Sequence, residues 1–395
     1  MNNVLDYLDW RGDIPFEIDP FNEVDALVLA RLSYLDLHDL VDESFEEYAI
    51  QDVEKQYAET LDQRFIHYEQ DVALFHKAAH STRFKDVKIT RYINHLEPDI
   101  FKQFAAVTFI IERRLAYLSF RGTDSTFAGW REDLNMTYEK VIPSQDEAAD
   151  YLEKAINRHP FYQYYLGGHS KGGNLAIAAL IMQPNRKHYD KVKAIFSFDG
   201  PGFRQEIIDT SNYHDALNKI TNFVPQSSIV GKMLGHEENF IIIYSEATGT
   251  MQHDVYSWEV KVKAFNHQKT LTLSSHIIDK ALDEYLVNLS DDKKAKLVDV
   301  IFDIVDASQT TSTRDFKKNL LKATASVTTK MMDLSEADKQ LIGEAISVLT
   351  DALVEAAGEE LGQYVKTKKD HLIQKATKEI DEYVKNKKDN VKYKL

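Results

Sequence analysis

The order of strand-like and helix-like segments in this chain predicts an α/β protein with a mostly parallel central sheet. Val192 to Phe198 and Phe240 to Tyr244 are apolar, partly β-branched runs typical of buried strands. Helix-length segments lie between the predicted strands, and strands joined by crossover helices pair in parallel, with both faces of the sheet covered. A Gly-x-Ser-x-Gly sequence around Ser170, between an apolar run and a helix-forming run, is typical of a strand that turns sharply into a helix.

Chain length predicts more than one structural part. At 395 residues the chain exceeds a usual single core. We predict a helical N-terminal extension over residues 1–100, an α/β core over 101–275 and a helical C-terminal region over 276–395. Hydrophobic residues at 43% and aromatic residues at 11% are sufficient for a packed interior.

Charge and cysteine content exclude several classes of site. A formal charge of −15 disfavours bulk attraction to nucleic acid or to an anionic membrane. With 0 Cys, the chain forms neither disulfides nor thiolate metal sites. The N-terminus lacks a basic segment followed by an apolar one, and no apolar run is long enough to span a bilayer. We therefore expect a cytoplasmic protein.

Helix and strand signals are spread along the first part of the chain. Asn22 and Glu23 open an amphipathic helix, and the acidic and aromatic segment from Glu43 to Arg83 is interpreted as helical and irregular. Two apolar runs joined by a short charged turn predict a hairpin. The spacing of Ser144 and Glu147 predicts a helix start. The predicted elements here are strands Phe104–Ile111 and Leu115–Phe120, a helix from Ser144 to about His159, and a strand over Tyr162–Leu166.

The last third of the chain has almost no turn residues and is predicted to be helical. Ser290 and Ser335 are followed by acidic residues, as expected at helix starts. The final segment has a lysine-rich amphipathic stripe, formed by Val365, Leu372, Ala376, Ile380 and Val384. We favour packing of this helix on its own domain, and keep binding to a membrane surface or a partner protein as the alternative.

Ser170 is the candidate nucleophile. At the apex of such a turn a serine is strained and its hydroxyl stands clear of the backbone. Glycines at 168 and 172 are expected for steric reasons, because a side chain there would collide with the neighbouring strand or helix. An ordinary glycine-rich strand-to-helix turn is the alternative.

A serine hydroxyl needs a base, and histidine is the expected one. The candidates that follow Ser170 are His188, His214, His236, His253 and His267. His253 lies in a polar loop after the predicted strand Phe240–Tyr244, where this fold presents its base. We favour His253, with His236 as the second choice.

Asp199 is the candidate acid that orients the base. It ends the predicted strand Val192–Phe198 and precedes Gly-Pro-Gly, so its carboxylate should project from the C-terminal edge of the sheet. Asp209, Asp215 and Asp254 are weaker candidates, and an aspartate that only stabilises the turn is the alternative.

An acyl-transfer site also needs hydrogen-bond donors for an oxyanion. The backbone N–H of Lys171, directly after the candidate nucleophile, is one expected donor. Thr123, next to Gly122 in the loop after the strand Leu115–Phe120, is the second. Trp130 and Asp133 in the following helix are expected to fix that loop or to form a lid.

These motifs together resemble a known family. Phe120-Arg121-Gly122-Thr123, then Trp130 and Asp133, then the segment from Gly167 to Ala176 are similar to the oxyanion loop and nucleophile elbow of class 3 (fungal-type) lipases. The chain as a whole resembles a bacterial family of lipase-like α/β hydrolases, over roughly Gln103 to Trp258.

The resemblance implies an α/β-hydrolase fold and roles for individual residues. It implies Ser170 as nucleophile, Thr123 and Lys171 as oxyanion donors, and His253 as base, since His253 and Tyr256 match the family's His-x-x-Tyr.

Two positions depart from the family pattern. The family places its acid in Asp-x-Val-Pro, whereas this chain has Asn222-Phe223-Val224-Pro225, and asparagine cannot supply a negative charge. We therefore keep Asp199 as the acid, similar to the arrangement in pancreatic-type lipases. Lys171 stands where the lipases usually carry leucine; we interpret it as a solvated lysine at the helix start rather than as a contact for anionic substrates.

The predicted function is hydrolysis of carboxylic esters, with lipid or other hydrophobic acyl esters as substrates and no metal or organic cofactor. The second hypothesis is a non-catalytic, hydrolase-like binding or regulatory module. It is retained because Asn222 stands where the family carries its acid. Thioester or amide hydrolysis by the same residues is the third.

Overall fold

The central sheet of the computed structural model contains eight strands within the residues that the structure describes, and they follow one another in sequence order. Those residues are 1–64, 66–124, 126–272, 285, 288–307, 334–345 and 347–348. The strands are β1 (Tyr48–Ala49), β2 (Lys88–Glu97), β3 (Lys102–Glu112), β4 (Leu115–Phe120), β5 (Gln163–His169), β6 (Val192–Phe198), β7 (Ile220–Pro225) and β8 (Asn239–Ile243). A small separate hairpin pairs β9 (Val260–Lys261) with β10 (Ala264–Phe265).

Strand direction divides the sheet into two halves. Strands β1 to β4 pair antiparallel, which confirms the predicted β3–β4 hairpin. Strands β4 to β8 pair parallel. Helices lie in the connections from β4 to β7, because a parallel pair needs a long crossover, whereas β7 and β8 are joined by a loop with a short 3-10 turn. The predicted α/β-hydrolase fold with a mostly parallel core is confirmed.

Helices cover both faces of this sheet. In the described part of the chain they are α1 (Val4–Arg11), α2 (Glu23–Leu32), α3 (Ile50–Glu59), α4 (Glu69–His80), α5 (Phe127–Asn135), α6 (Pro143–Arg158), α7 (Lys171–Ile181), α8 (Gln205–Ile208), α9 (Ser211–Ala216) and α10 (Asp291–Ala307). Helices α1 to α4 pack into one apolar core with Tyr117 of β4, and α6 and α7 pack into a second core with the adjacent Leu118. Successive side chains of a strand point to opposite faces, so the two cores lie on the two sides of the sheet.

Several predicted elements occur where local signals place them. Asn22 caps α2 through its side-chain oxygen, which accepts from the N–H groups of Val24 and Asp25. Strand β6 has the predicted bounds. Helix α10 begins after Ser290, whose carbonyl accepts from the Lys294 N–H.

Other elements differ from the predictions. Strand β2 lies inside the extension predicted to be helical, and β7 was not predicted at all. Helix α6 begins at Pro143, one residue before the predicted start at Ser144, and the Gln145 side chain accepts from the Ile142 N–H. Ser144 instead donates its backbone N–H to Glu132, 3.1 Å away.

The chain divides into two compact units, residues 1–271 with 289–335, and residues 272–288 with 336–395. The first contains all the strands and helices named above. In the second, residues 336–345 are helical, consistent with a helix start at Ser335. The predicted amphipathic stripe from Val365 to Val384 lies outside the described residues, so its role stays a prediction.

Candidate active site

Ser170 lies at the sharp turn between β5 and α7. Its φ of 59° and ψ of −134° are strained values for a residue with a side chain. The Ser170 N–H donates to the carbonyl of Phe198 on the neighbouring strand, 2.9 Å away. A Cβ atom at Gly168 or at Gly172 would overlap the carbonyl oxygen of Phe120. Both positions therefore exclude a side chain, as the sequence predicts.

Asp199 follows β6 directly and is buried, with a φ of 53°. Its Oδ2 accepts from His253 Nδ1 at 2.6 Å. Its Oδ1 accepts from the Ser228 hydroxyl at 2.5 Å and from the Gly231 N–H at 3.1 Å. Three donors therefore fix the orientation of the carboxylate.

Ser170 and His253 line the same cavity of about 320 Å³. Among the described residues, the structure has a hydrogen bond between His253 and Asp199 but none between the Ser170 hydroxyl and His253. Hydrogen bonds of this kind are often long or misaligned before a substrate binds. The geometry therefore brings the candidate nucleophile and base to one cavity, and the candidate acid lies behind the base, buried and hydrogen-bonded to it.

Most of the surface of the cavity wall is apolar. Helix α5 and the segment after it contribute part of this wall, and the loop between β7 and β8 contributes another part. Tyr34 and Tyr68 reach the cavity from the N-terminal region, where the sequence showed no motif. The apolar wall residues are Trp130, Leu134, Met136, Pro201, Val230, Met233 and Leu234.

Thr123 lies in the loop between β4 and α5, also at the cavity. Its hydroxyl donates to Asp133, whose two carboxylate oxygens are 2.7 and 2.6 Å away. Asp133 thus holds the loop, as the sequence predicts. Lys171 is the first residue of α7, so its backbone N–H has no partner within the helix. Both expected oxyanion donors are therefore at the cavity.

Asp133 has a perturbed ionisation. Burial raises its pKa to about 6, and the neighbouring Glu132 carboxylate adds to the rise. The ammonium group of Lys171 and the hydroxyl of Thr123 favour the ionised form and oppose the rise. Asp133 therefore titrates closer to neutral pH than an ordinary aspartate.

The Lys171 side chain is buried, which corrects the expectation of a solvated lysine. Its Nζ donates to Glu132 Oε2 at 2.7 Å and to the carbonyl of Gln103 at 2.9 Å. Glu132 is fully buried and also accepts from the N–H groups of Gln103 and Ser144, both 3.1 Å away. The charge of Lys171 is therefore neutralised inside the protein, and its ammonium group is not presented to an anionic substrate.

His236 and Asn222 lie together in a separate buried group. His236 Nδ1 contacts Glu238 at 2.6 Å, and Tyr213 donates its hydroxyl to the same carboxylate at 2.6 Å. Asn222 Nδ2 is 3.4 Å from Glu238 and 3.3 Å from the carbonyl of Gly200. The structure thus pairs His236 with Glu238, whereas His253, which lines the cavity, pairs with Asp199.

A family model described as Mbeg1-like matches residues 78–303, more than half of the chain. The chain belongs to the Mbeg1-like family. The expected membership of a lipase-like α/β-hydrolase family is confirmed. A comparison with curated proteins gave no match.

Solved structures similar to this Mbeg1-like chain include several lipases. The M37 lipase has 14% identity and a TM-score of 0.36, over 54% of this chain and 70% of its own. The lipase from Rhizopus microsporus var. chinensis has 15% identity and a TM-score of 0.34, over 52% and 78%. The native propeptide complex of Rhizomucor miehei lipase has 16% identity and a TM-score of 0.32, over 51% and 73%.

One side-chain group in the described part of this Mbeg1-like protein has the composition of a metal site. Glu54 on α3 and His76 and His80 on α4 have candidate ligand atoms within 4.8 Å of one another. None of the three lines the cavity.

No helix among the described residues is long and apolar enough to cross a membrane.

Proposed function

We propose that this Mbeg1-like protein is a serine hydrolase that cleaves carboxylic esters through an acyl-enzyme on Ser170. One observation carries the proposal. The buried Asp199 carboxylate holds Nδ1 of His253, and His253 lines the same cavity as the strained Ser170. An Asp–His pair beside a serine at such a turn is the arrangement that activates a hydroxyl for acyl transfer.

The acylation step follows from this geometry. Asp199 accepts a hydrogen bond from Nδ1–H of His253, which fixes the proton on Nδ1 and leaves Nε2 as the basic nitrogen. Nε2 takes the Ser170 proton as Oγ attacks the ester carbonyl carbon. The resulting imidazolium is stabilised by the Asp199 charge. It then gives its proton to the alkoxide that leaves, so an alcohol departs and the acyl group stays on Ser170.

The oxyanion of the tetrahedral intermediate needs donors on the other side of the carbonyl. The Lys171 N–H, at the N-terminus of α7, is the first donor that we assign. The second is the backbone N–H of Thr123, because its hydroxyl proton is already directed to Asp133. In the second half of the reaction, His253 takes a proton from water, the water oxygen attacks the acyl carbon, and Ser170 leaves with the proton.

The substrate class follows from the walls of the cavity. The surface of the cavity near Ser170 is mainly apolar, and Met233, Leu234 and Trp130 contribute to it. An apolar wall stabilises an acyl chain by removing it from water. Esters with a hydrophobic acyl group are therefore the substrates that we propose, and the chemistry requires no cofactor.

The non-catalytic interpretation depended on Asn222 as the residue in the acid position. Asn222 contacts Glu238 and Gly200, while Asp199 contacts the candidate base. An anionic partner for His253 is therefore present in the fold, which favours the enzyme. Thioester and amide cleavage use the same residues, and they are compared with ester cleavage in the test.

The test is labelling of the intact protein with a fluorophosphonate probe. We expect labelling of the wild type and its loss in Ser170→Ala and His253→Ala. His214→Ala is the matched control, since this exposed histidine pairs with Glu237 on the surface. Labelling that persists in Ser170→Ala would contradict the assignment of the nucleophile.

A second assay identifies the bond that is cleaved. Matched oxyester, thioester and amide substrates with one common acyl group are compared by kcat/KM. We expect the oxyester to be the best substrate. A higher kcat/KM for the thioester or the amide would replace ester hydrolysis by that activity on the same serine.

A further inference from the structure

The hydroxyl group of Tyr34 lies between two loops of the candidate active site. It accepts the backbone N–H of Gly122 at 3.1 Å. It also lies 3.2 Å from Nδ1 and 3.3 Å from the carbonyl oxygen of His169. Gly122 directly precedes Thr123, and His169 directly precedes Ser170. One hydroxyl therefore contacts both the oxyanion loop and the nucleophile turn.

His169 continues this connection to the loop that carries the base. Its Nε2 is 2.9 Å from the carbonyl oxygen of His253. A carbonyl only accepts, so Nε2 must carry the proton and Nδ1 must be the acceptor. Tyr34 O–H and Arg31 Nη1, the latter at 3.3 Å, are both suitable donors to Nδ1.

The surroundings of His169 keep its ring neutral, as this arrangement requires. The ring is buried, and burial lowers the pKa of His169 well below its usual value. The neighbouring Arg31 guanidinium and the nearby His253 ring lower it further. The neutral tautomer of His169 with its proton on Nε2 therefore satisfies the hydrogen-bond partners of both ring nitrogens.

A buried ion pair holds Tyr34 in place. Arg31 donates from Nε and Nη2 to the two oxygens of Asp71, at 2.9 and 2.7 Å. The Arg31 guanidinium lies 3.9 Å from the centre of the Tyr34 ring. Tyr256, three residues after His253, donates its hydroxyl to Asp71 at 2.6 Å. The same pair thus contacts the ring of Tyr34 and the base loop.

We propose that Tyr34 and His169 are positioning residues, which hold the oxyanion loop, the nucleophile and the base in the relative positions that the reaction requires. This inference rests on the proposed function. It makes the N-terminal helical region a part of the catalytic centre rather than only a cover for the sheet. A misplacement of about 1 Å at such a centre costs up to about a hundredfold in rate, so the loss of one shared contact is measurable.

The test compares Tyr34→Phe with Tyr7→Phe in the full chain. Tyr7 is a matched control, because it is buried in the same region, donates to Asp25 at 2.8 Å and does not line the cavity. We expect Tyr34→Phe to lower kcat and the rate of fluorophosphonate labelling about tenfold to a hundredfold, with less change in KM. Tyr7→Phe should retain both rates, even with an equal loss of thermal stability.

A second pair of variants separates positioning from packing. In His169→Gln the amide retains a donor and an acceptor, whereas His169→Leu has neither. We expect His169→Gln to retain more of kcat than His169→Leu at similar melting temperature. Equal rates in the two variants, or a kcat in Tyr34→Phe equal to wild type, would overturn the positioning role.

Labelling and activity of the wild type show whether a negative result concerns the positioning role alone or the proposed function as well. If the wild type is labelled on Ser170 and Tyr34→Phe is labelled equally fast, only the positioning role is wrong. If the folded wild type is neither labelled nor active on esters, the proposed function fails and the positioning role fails with it.

Discussion

Asp199 Oδ2 accepts a hydrogen bond from His253 Nδ1 at 2.6 Å, although 54 residues separate the two along the chain. The carboxylate comes from the end of β6 and the imidazole from the loop after β8. Strand β7 lies between β6 and β8 and carries Asn222, the position where the resemblance places the acid. The anionic partner of the histidine therefore comes from one strand earlier in the sheet.

This contact predicts a large effect for Asp199→Asn. The amide cannot hold His253 in the required tautomer or stabilise an imidazolium, so kcat should fall by about 10⁴-fold with the fold intact. Steady-state kinetics with a short acyl ester measures the effect. Asp254→Asn is the control, because Asp254 is the sequence neighbour of His253 and caps the next short helical turn.

Asn222→Ala completes this comparison. Asn222 contacts Glu238 and Gly200 at distances of 3.4 and 3.3 Å and does not contact His253, so kcat should change far less than in Asp199→Asn. If Asn222→Ala abolished turnover while Asp199→Asn retained it, the acid would be wrongly assigned.

Local sequence was sufficient to predict the turn at Ser170. Its requirements are glycines at two fixed positions, an apolar strand before it and a helix after it, and all of these lie within about a dozen residues. Asp199 was predictable for a similar reason, since it directly follows a clear apolar strand.

Features that depend on distant contacts were not predictable. Strand β2 contains Arg91, which is buried with a φ of 51°, at an irregularity in the pairing with β3. The polar residues of β2 interrupt the alternation of apolar and polar residues by which a strand is recognised in a sequence. Strand β2 is recognisable only from its pairing with β3. The burial of Lys171 requires Glu132, 39 residues earlier in the sequence. The contact of Tyr34 with His169 spans 135 residues.

The buried Lys171–Glu132 pair predicts a strong effect on stability. Lys171→Met leaves the fully buried Glu132 without its cation and should lower the free energy of unfolding by about 3–5 kcal/mol. Urea denaturation measures this change. Lys154→Met is the control, because Lys154 and Asp150 form an exposed pair worth about 0–1 kcal/mol.

A double variant checks the origin of this effect. In Lys171→Met with Glu132→Gln the unpaired charge is absent, so part of the lost stability should return. A double variant as unstable as the sum of the two single variants would show that the charge is not the cause.

The raised pKa of Asp133 predicts a pH dependence of stability. The folded protein binds the proton up to about pH 6, whereas an unfolded aspartate releases it near 3.8. Between these values the folded state binds more protons, so stability should fall as pH rises through this window. Since 35% of the Asp133 side chain is accessible, water reduces the size of the effect.

The measurement compares the wild type with Asp133→Asn by urea unfolding from pH 4 to pH 8. The neutral variant should gain stability relative to the wild type as pH rises through this window, with a constant difference above it. Asp150→Asn, at an exposed position, is the control. A difference between wild type and Asp133→Asn that does not vary with pH would contradict the raised pKa.

The position of Trp130 in the cavity wall predicts that its ring contacts the acyl chain of a substrate. Its side chain lines the cavity from α5 and remains 50% exposed, which leaves its ring available to a ligand. Trp130→Ala should raise KM for an octanoyl ester and change KM for an acetyl ester little, because only the longer chain reaches an apolar wall. Phe161→Ala is the control, since Phe161 is 75% exposed and does not line the cavity. An equal increase in KM for both esters would assign Trp130 to the reacting centre rather than to chain binding.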